Sequence, residues 1–396
     1  MKEKKSLYMK MRNKTKILFI IPGLSLGGTT TALISMLNCG LANDYDIDVF
    51  AIEQRDYNLQ PIATHDIGQN GFTTAYYGDF SRFPTKKKIK YLFVKLLKQI
   101  KGGSSGLEEW VTRRTIQKIE KNKHYDIVVG FQERLATRFA SHFTCPRKIA
   151  WIHCDYANAY GEEVNELDLY NGFEKVVCVS QFTRQGFVGR YPALADKTVA
   201  IHNIFDAQSV IEKSKESIDD PRFDTSRFTI ISLGRIHEVK RFYLIPEIAA
   251  QLKSAGLDFR WYILGSAGIP SELQRLTDAI HNYGMEEKVI YLGGKANPYP
   301  FLKAADLMVT LSKSEACPMI FNEAKILHVP IVSTDFGSAF EFIEDSKTGI
   351  ISPLADISNA VMRIFSDEKL RERIKRNISQ FDFDNVKLIA TIKSIL

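Results

Sequence analysis

Two carboxylates in the second half of the chain could take part in chemistry together. Glu315 and Glu323 lie in the segment LSKSEACPMIFNEA, which begins at residue 311. A predicted buried strand ends at Ser312, and Pro318 stands where the next helix should begin, the helix position that best tolerates proline. Glu323 then lies about one turn into that helix, so one carboxylate is expected at the rim of a crevice and the other beside it.

The start of the same predicted helix could bind a phosphate. Its first backbone amides, at Met319 and Ile320, can donate to an anion because they have no partner within the helix. Carboxylates accept hydrogen bonds from hydroxyls, so the segment suits a sugar nucleotide, with its hydroxyls on the two glutamates. A glutamate pair at this spacing is weak evidence by itself, because most such pairs are solvated helix charges.

A second segment, SLGRIHEVKRF, carries positive charge directly after another predicted strand. The strand ends at Gly234, and Arg235 and Lys240 project from the following turn. Transfer of a glycosyl group expels a nucleoside diphosphate, and cations aimed at the growing negative charge lower the barrier. The alternative is an ordinary exposed basic loop.

In this order, with two further predicted strands between them, these segments resemble the retaining family-4 glycosyltransferases of the GT-B fold. The resemblance covers essentially all of the second half of the chain. It rests on Gly234, Arg235 and Lys240, on ILGSAG (263–268), on Glu315 to Glu323, on PIVSTDFGSAFEFI (330–343) and on TGIISP (348–353). It implies an α/β protein of two Rossmann-like parallel-sheet domains that face a central cleft.

The resemblance also implies a role for each residue. Arg235 and Lys240 would hold the diphosphate, Glu323 the ribose hydroxyls, and Glu315 would contact the transferred sugar near its reacting carbon. We expect a short-lived oxocarbenium ion shielded by the leaving phosphate, not a covalent adduct on Glu315. The expected donor-site residues are Gly234, Arg235, Lys240, Gly265, Glu315, Met319, Ile320 and Glu323, and the donor is a nucleotide-diphosphate sugar, with uridine diphosphate favoured by its frequency in the family.

The chain departs from the family pattern at two points. The family usually has Gly-Phe after the first glutamate, where this chain has Ala316 and Cys317. It usually has Gly-Gly before the later glutamate, where Gly337 is followed by Ser338. Both changes add side-chain bulk near the expected donor, so they could tune which sugar fits, and they keep an inactive relative open as an alternative.

The first half matches the family more loosely. Gly27 and Gly28, in PGLSLGGTTTAL (22–33), resemble its Gly-Gly acceptor loop, where glycine allows close backbone approach. The segment lacks both the dinucleotide-binding glycine pattern and the P-loop lysine. His153, at a predicted strand end in WIHCD, stands where the family has an active-site histidine beside the transferred sugar and the acceptor, although a lone histidine is more often structural.

Short apolar runs alternate with helical patterns along most of the chain, which predicts parallel sheets covered on both faces. The predicted strands are 16–21, 46–52, 125–131, 148–153, 175–180, 198–203, 228–234, 259–265, 288–293, 307–312 and 330–335, with helices including 243–254, 272–282 and 319–327. The expected domains are an acceptor-binding domain (1–205), a polar linker (206–224), a donor-binding domain (225–380) and a C-terminal helix (381–396) that packs back on the first domain.

Charge is concentrated in the first half. Residues 1–205 carry 29 Lys and Arg against 20 Asp and Glu, and the remainder 24 against 26. Residues 82–103 form a basic amphipathic helix candidate that could rest on an anionic membrane surface, with a solvated packing helix as the alternative. No nucleic-acid-binding motif supports a nucleic-acid partner.

The expectations about location and metal use rest on features that the sequence lacks. Five scattered cysteines without C-x-x-C spacing predict reduced thiols in a cytoplasmic protein. No apolar run reaches the ~18–20 residues of a membrane span, so we expect at most a peripheral position at the inner face of the plasma membrane. Asp46-x-Asp48 mimics a metal-binding motif but is interpreted as a solvated strand edge. We therefore expect no metal and no cofactor beyond the donor substrate.

The combined expectation is a retaining, metal-independent glycosyltransferase of the hexosyltransferase type, with Glu315, His153, Arg235 and Lys240 as its catalytic residues. Its expected acceptor is a glycan or lipid-linked glycan, as in bacterial capsule, exopolysaccharide or cell-surface glycan synthesis. A GT-B epimerase or phosphorylase, and a non-catalytic scaffold subunit that binds sugar nucleotides, remain alternatives.

Overall fold

The computed structural model describes residues 14–24, 27–53, 104–381 and 384–396, without the side chains of 104–108. The chain divides into two compact units. The first comprises Met1–Val179, Thr183–Ile204 and Val386–Leu396, and the second comprises Ser180–Phe182 and Phe205–Asn385.

A parallel sheet forms the centre of the first unit. Its strands are β1 Lys16–Gly23, β2 Asp46–Glu53, β3 Ile127–Gly130, β4 Arg147–Ile152, β5 Lys175–Cys178 and β6 Thr198–Ala200. Their order across the sheet is β2-β1-β3-β4-β5-β6, and every described pairing is parallel. The apolar run of β1 from Ile17 to Ile21 is buried throughout, as expected of a central strand covered on both faces.

The helices of this part of the chain connect successive strands. They are α1 Gly28–Met36, α2 Ala42–Asp44, α3 Ser104–Asn122, α4 Leu135–Ser141, α5 Tyr156–Ala159, α6 Leu167–Asn171 and α7 Gln181–Arg190, with short segments of other helix types at Leu37–Leu41 and Pro192–Lys197. Parallel strands require such crossovers, so this alternation follows directly from the sheet.

The second unit repeats the architecture. Its strands are β7 Phe228–Leu233, β8 Phe259–Leu264, β9 Val289–Gly293, β10 Leu307–Thr310, β11 Ile331–Thr334 and β12 Ile350–Ser352. The order is β12-β11-β10-β7-β8-β9. Ile230 and its neighbour Ile231 point to opposite faces of β7, and each packs into a different apolar cluster, so both faces of this sheet are covered.

The helices of the second unit begin and end where local signals dictate. They are α8 Ala207–Lys213, α9 Ile245–Ser254, α10 Pro270–Asn282, α11 Tyr299–Lys303, α12 Met319–Ile326, α13 Ala339–Phe342, α14 Ile357–Ser366 and α15 Glu368–Ser379, with 3-10 turns at Glu238–Lys240, Phe242–Leu244 and Leu354–Asp356. Pro270 opens α10 at the position that needs no amide, and Gly284, with a φ of 61°, follows its end.

The predicted strands and helices are confirmed by these elements, and β12 is an additional short strand within TGIISP. The segment 206–224, predicted as a linker, belongs instead to the second unit. Asp206 caps α8 by accepting from the Ser209 amide at 3.0 Å, and buried Asp220 is paired with Arg222 and Lys295. A polar segment can therefore fold onto a domain when its charges find partners there.

The described chain ends in α16 (Asn385–Ile395), and Val386–Leu396 belongs to the first unit. Arg147 at the start of β4 donates hydrogen bonds to the carbonyl oxygens of Ile395 and Leu396. Lys393 forms an ion pair with Asp44 of α2. This helix is thus held to the first sheet by charge as well as by burial.

Two expectations about charged segments have different outcomes. Residues 82–103, the amphipathic helix candidate, lie outside the described residues. No helix among the described residues is long and apolar enough to cross a membrane. The interpretation of Asp46-x-Asp48 as a solvated strand edge is wrong for Asp48, which is buried, lies 2.8 Å from Lys123 Nζ and accepts a hydrogen bond from the Tyr125 hydroxyl.

Candidate active site

Two glycines bring the ends of β7 and β8 unusually close together in the second unit. Gly234 has a φ of 144°, a conformation that favours glycine. A Cβ atom on Gly265 would stand only 1.7 Å from the Gly234 carbonyl oxygen. Neither position therefore admits a side chain, and backbone groups form the surface at this edge of the sheet.

Lys240 and Glu315 meet at the same edge although 75 residues separate them. Lys240 lies in the turn after β7 and Glu315 follows β10, and these two strands are neighbours in the sheet. The Lys240 Nζ forms a short ion pair with Glu315 Oε1, with about a fifth of each side chain exposed. Parallel strands bring their carboxyl ends to one edge, which is where such sheets bind ligands.

A hydroxyl further fixes the Glu315 carboxylate. Ser312 donates from its Oγ to Glu315 Oε1 at 2.7 Å. One carboxylate oxygen thus receives both a cationic and a neutral donor. Arg235, the other predicted cation, is exposed beside Gly234, so it is available to an anion arriving from solvent.

Helix α12 begins at Met319, with Pro318 as the residue before it. The amide of Phe321 bonds to the Pro318 carbonyl oxygen at 3.0 Å, and the earlier amides of Met319 and Ile320 are those that helix geometry leaves without an intrahelical acceptor. The predicted phosphate-binding amides are therefore at a true helix start.

Glu323 lies one turn into α12. Tyr299 of α11 donates from its hydroxyl to Glu323 Oε1 at 3.1 Å. Burial raises the pKa of Glu323 to about 7, against the opposing effects of the Tyr299 hydrogen bond and the charge of Lys213. Near neutral pH both the neutral and the ionised forms of this carboxyl group are therefore populated.

The residues at the two family departures lie in the loop that follows β10 or contact it. Ala316 is buried, and Cys317 packs at the edge of an apolar cluster that contains Phe321 and Phe336. Ser338 is buried too, and its Oγ donates to the Glu315 carbonyl oxygen at 2.7 Å.

In the first unit, His153 directly follows β4 and packs against Phe131, with ring centroids 4.7 Å apart. Its backbone amide donates to Glu133 Oε2 at 2.8 Å. Burial lowers the pKa of His153 to about 3, so the ring is neutral. Its Nε2 atom is buried and has no hydrogen-bond partner among the described residues, which leaves one ring nitrogen for a ligand.

Gly27 and Gly28 are exposed at the start of α1, and a Cβ on Gly27 would meet nothing within 4 Å. A side chain would therefore fit at position 27, and lack of space does not explain why this residue is a glycine. Residues 25 and 26, which precede it, lie outside the described residues.

Of the predicted donor-site residues, Gly234, Gly265, Lys240 and Glu315 are joined by direct contacts, whereas Glu323 contacts Tyr299 instead. Sequence reasoning missed Tyr299 and Glu133. Glu133 follows the buried strand β3, whereas Tyr299 begins the helix after the partly exposed strand β9. A polar residue just after a buried strand is a signal that could have identified Glu133. Within the described ranges, no group of three or more His, Cys, Asp or Glu side chains could hold a metal ion.

Residues 213–381 match the family model described as glycosyl transferases group 1. Over these residues the chain is similar to that family. The match includes Gly234, Lys240, Glu315 and Glu323, so the contacts described above lie inside the matched region.

The chain is also similar, over part of its length, to proteins named as glycosyltransferases. The chain is 21% identical over 291 residues to an uncharacterized glycosyltransferase of Methanocaldococcus jannaschii, covering 63% of this chain and 71% of that protein. It is 26% identical over 228 residues to the N-acetylgalactosamine-N,N'-diacetylbacillosaminyl-diphospho-undecaprenol 4-alpha-N-acetylgalactosaminyltransferase of Campylobacter jejuni, covering 56% of this chain and only 59% of that enzyme.

The fold is shared with a solved structure. The crystal structure of Anabaena HepE in complex with UDP-glucose matches with a TM-score of 0.73 at 20% identity, over 96% of this chain and 100% of that one. The prediction of an α/β protein with the GT-B fold is thereby confirmed. Assignment to the retaining family-4 subclass stays a prediction.

Proposed function

We propose that the chain is a retaining glycosyltransferase that transfers a sugar from a UDP-sugar to a glycan or lipid-linked acceptor. The observation that carries this proposal is the contact between Lys240 and Glu315 at the strand ends of the region that is similar to glycosyl transferases group 1. In the proposed site the Lys240 cation would face the phosphate of the donor and the Glu315 carboxylate would face its sugar. The two side chains are adjacent, as are the sugar and the phosphate that the reacting bond joins.

The proposed chemistry uses charges that the site already holds. As the bond between the sugar C1 and the phosphate oxygen breaks, negative charge grows on the diphosphate, and Lys240 and Arg235 stabilise it. The acceptor hydroxyl attacks C1 from the same face as the departing phosphate, and the hydroxyl proton passes to that phosphate. Glu315 orients the sugar and stabilises the positive charge that develops near C1. These cations perform what a metal ion does in other enzymes, so we propose metal-independent catalysis.

The nature of donor and acceptor is supported by similar proteins. HepE has been crystallised with UDP-glucose, and the C. jejuni relative is named for transfer to a diphospho-undecaprenol substrate. We propose a UDP-sugar donor and a lipid-linked acceptor of a bacterial surface polysaccharide. The protein would then act at the cytoplasmic face of the plasma membrane, with residues 82–103 as a candidate for the lipid-facing segment.

The test is turnover of a panel of UDP-sugars by the purified chain in the presence of EDTA, with undecaprenyl-linked acceptors and analysis of the product anomer. Lys240→Met should lower kcat/KM by ~100-fold or more, the usual effect of removing one preorganised charge. Lys313→Met is the matched control, because Lys313 is an exposed cation two residues before Glu315, and its turnover should equal that of the unmodified chain.

Other outcomes would point to the alternatives. UDP-sugar binding without turnover under any acceptor condition would favour a non-catalytic scaffold subunit. Release of free UDP with an epimerised sugar, without any acceptor, would favour an epimerase. An inverted product anomer would refute the retaining mechanism.

A further inference from the structure

The loop that carries Glu315 is held at several points by buried hydroxyl groups. We define the Glu315 loop as residues 311–318, between β10 and α12. Ser338 donates to the Glu315 carbonyl oxygen at 2.7 Å, and Thr334 donates from its Oγ1 to the Ser312 carbonyl oxygen at 2.6 Å. Ser312 in turn donates to the Glu315 carboxylate. The two residues outside the loop, Thr334 and Ser338, are almost completely inaccessible to solvent.

We propose that Ser338 is a positioning residue that fixes the Glu315 backbone, and through it the carboxylate that contacts the transferred sugar. This inference rests on the proposed function, because it assigns Ser338 to the same site. Ser338 lies in the segment after β11, and β11 pairs with β10. Its hydrogen bond therefore ties the Glu315 loop to the neighbouring strand at the carboxyl edge of the sheet.

The backbone at Ser338 does not require the glycine that usually stands there in the family. Its φ and ψ are −81° and −9°, an ordinary conformation for any residue. The serine thus adds a hydrogen bond without backbone strain. Because the hydroxyl is buried and bonded to the loop, its removal leaves the Glu315 carbonyl oxygen without that donor in a region from which water is largely excluded.

The bonds from Thr334 and Ser338 act at different points of the loop. Thr334 holds the carbonyl of Ser312, near the end of β10, whereas Ser338 holds the carbonyl of Glu315 itself. Lys240 contacts the carboxylate from the β7 side. A carboxylate fixed through both its backbone and its side chain loses little freedom when a sugar binds, and such positioning is a large part of catalytic rate.

The proposed ribose contact is separate from this support. Glu323 and its partner Tyr299 lie on α12 and α11, and neither contacts Ser338 by a described hydrogen bond. Lys240, the proposed diphosphate ligand, contacts Glu315 through the carboxylate and not through the backbone carbonyl that Ser338 holds. Loss of the Ser338 hydroxyl should therefore disturb the position of the sugar-contacting carboxylate more than the binding of UDP. The signature is a fall in kcat at nearly constant UDP affinity.

The experiment compares Ser338→Ala, Ser338→Gly and Thr334→Val with Ser333→Ala in the full chain. Ser333→Ala is the matched control, because Ser333 is equally buried in β11 but donates to the carbonyl oxygen of Thr334 rather than to the Glu315 loop. UDP affinity is measured by calorimetry, kcat and KM with the active UDP-sugar, and the melting temperature of each variant.

For Ser338→Ala and Ser338→Gly we expect kcat to fall ~10-fold or more, as misplaced catalytic groups do, with the Kd for UDP within about twofold of the unmodified chain. Thr334→Val, which keeps the side-chain shape, should lower kcat in the same way, and Ser333→Ala should not. Unchanged kcat in both Ser338 variants would overturn the inference. So would an equal loss of UDP affinity, because the bond would then support the whole site. Absence of turnover in the unmodified chain would instead refute the proposed function, on which the inference depends.

Discussion

Replacement of Glu323 by glutamine should stabilise the second unit and weaken donor binding, and both effects should depend on pH. Burial raises the pKa of Glu323 from its ordinary value near 4.5 to about 7 in the folded chain. The folded state therefore disfavours the ionised carboxylate relative to the unfolded state. The stability associated with this group is fully present below about pH 4.5 and is lost as the pH rises through 7.

The magnitude follows from the pKa change. Each unit of difference between the folded and unfolded pKa is worth ~1.4 kcal/mol. The rise from 4.5 to about 7 therefore lowers the free energy of unfolding by ~3 kcal/mol once Glu323 is ionised, near pH 8. Glutamine does not titrate and still offers Tyr299 an amide oxygen. Urea unfolding of both proteins at several pH values between 5 and 8 should show the variant gaining stability over the unmodified chain as the pH rises. A stability difference that stays constant across this range would refute the reasoning.

A rise in pH should favour the unmodified chain over Glu323→Gln in UDP affinity, although it favours the variant in stability. A carboxylate accepts hydrogen bonds from ribose hydroxyls best when ionised, and ~10% of Glu323 is ionised at pH 6 against ~90% at pH 8. The ratio of affinities between the unmodified chain and Glu323→Gln should therefore rise ~10-fold between these pH values, and titration of UDP itself cancels in the ratio. Tyr299→Phe removes a hydrogen bond that lowers the pKa of Glu323, so its transition should move to higher pH. A pH-independent ratio would mean that Glu323 does not bind the ribose.

Two further predictions concern backbone packing and the first unit. Gly265→Ala should destabilise the second unit by ~1–3 kcal/mol or more, because the new Cβ overlaps the Gly234 carbonyl oxygen. Gly268→Ala, with open space around it, should change the urea midpoint little. Equal midpoints for the two variants would contradict the close approach of the two backbones. Glu133→Ala should cost ~1–3 kcal/mol, because the partly buried His153 amide loses its acceptor. Glu133→Gln, which keeps an oxygen there, should cost less in the same measurement, and a glutamine variant as unstable as the alanine variant would show that the hydrogen bond is not the cause.

The sequence predicted the sheets well because their strands are apolar on both faces, a pattern visible without any partner. It predicted no strand at β12, which has only three residues and too little apolar sequence to stand out. It assigned Lys240 and Glu315 to one site by resemblance, but their contact depends on β7 and β10 being neighbours, which only the topology provides.

Long-range partners explain the remaining errors. The position of Asp46-x-Asp48 at the start of a strand predicts a solvated edge, yet Lys123 and Tyr125, distant in the chain, contact the Asp48 carboxylate. Similarly, the raised pKa of Glu323 comes from the packing around α12, which no local pattern encodes. Charged residues are thus the least predictable part of this protein from sequence.

The last helix has a consequence for how the protein is made. Val386–Leu396 belongs to the first unit, although the whole second unit is encoded before it. During synthesis the second unit can therefore fold while the first unit still lacks α16. Arg147 and Asp44 remain without their α16 partners during that time. A truncation near residue 385 should therefore destabilise the first unit more than the second, although the lost residues follow the second unit in the chain.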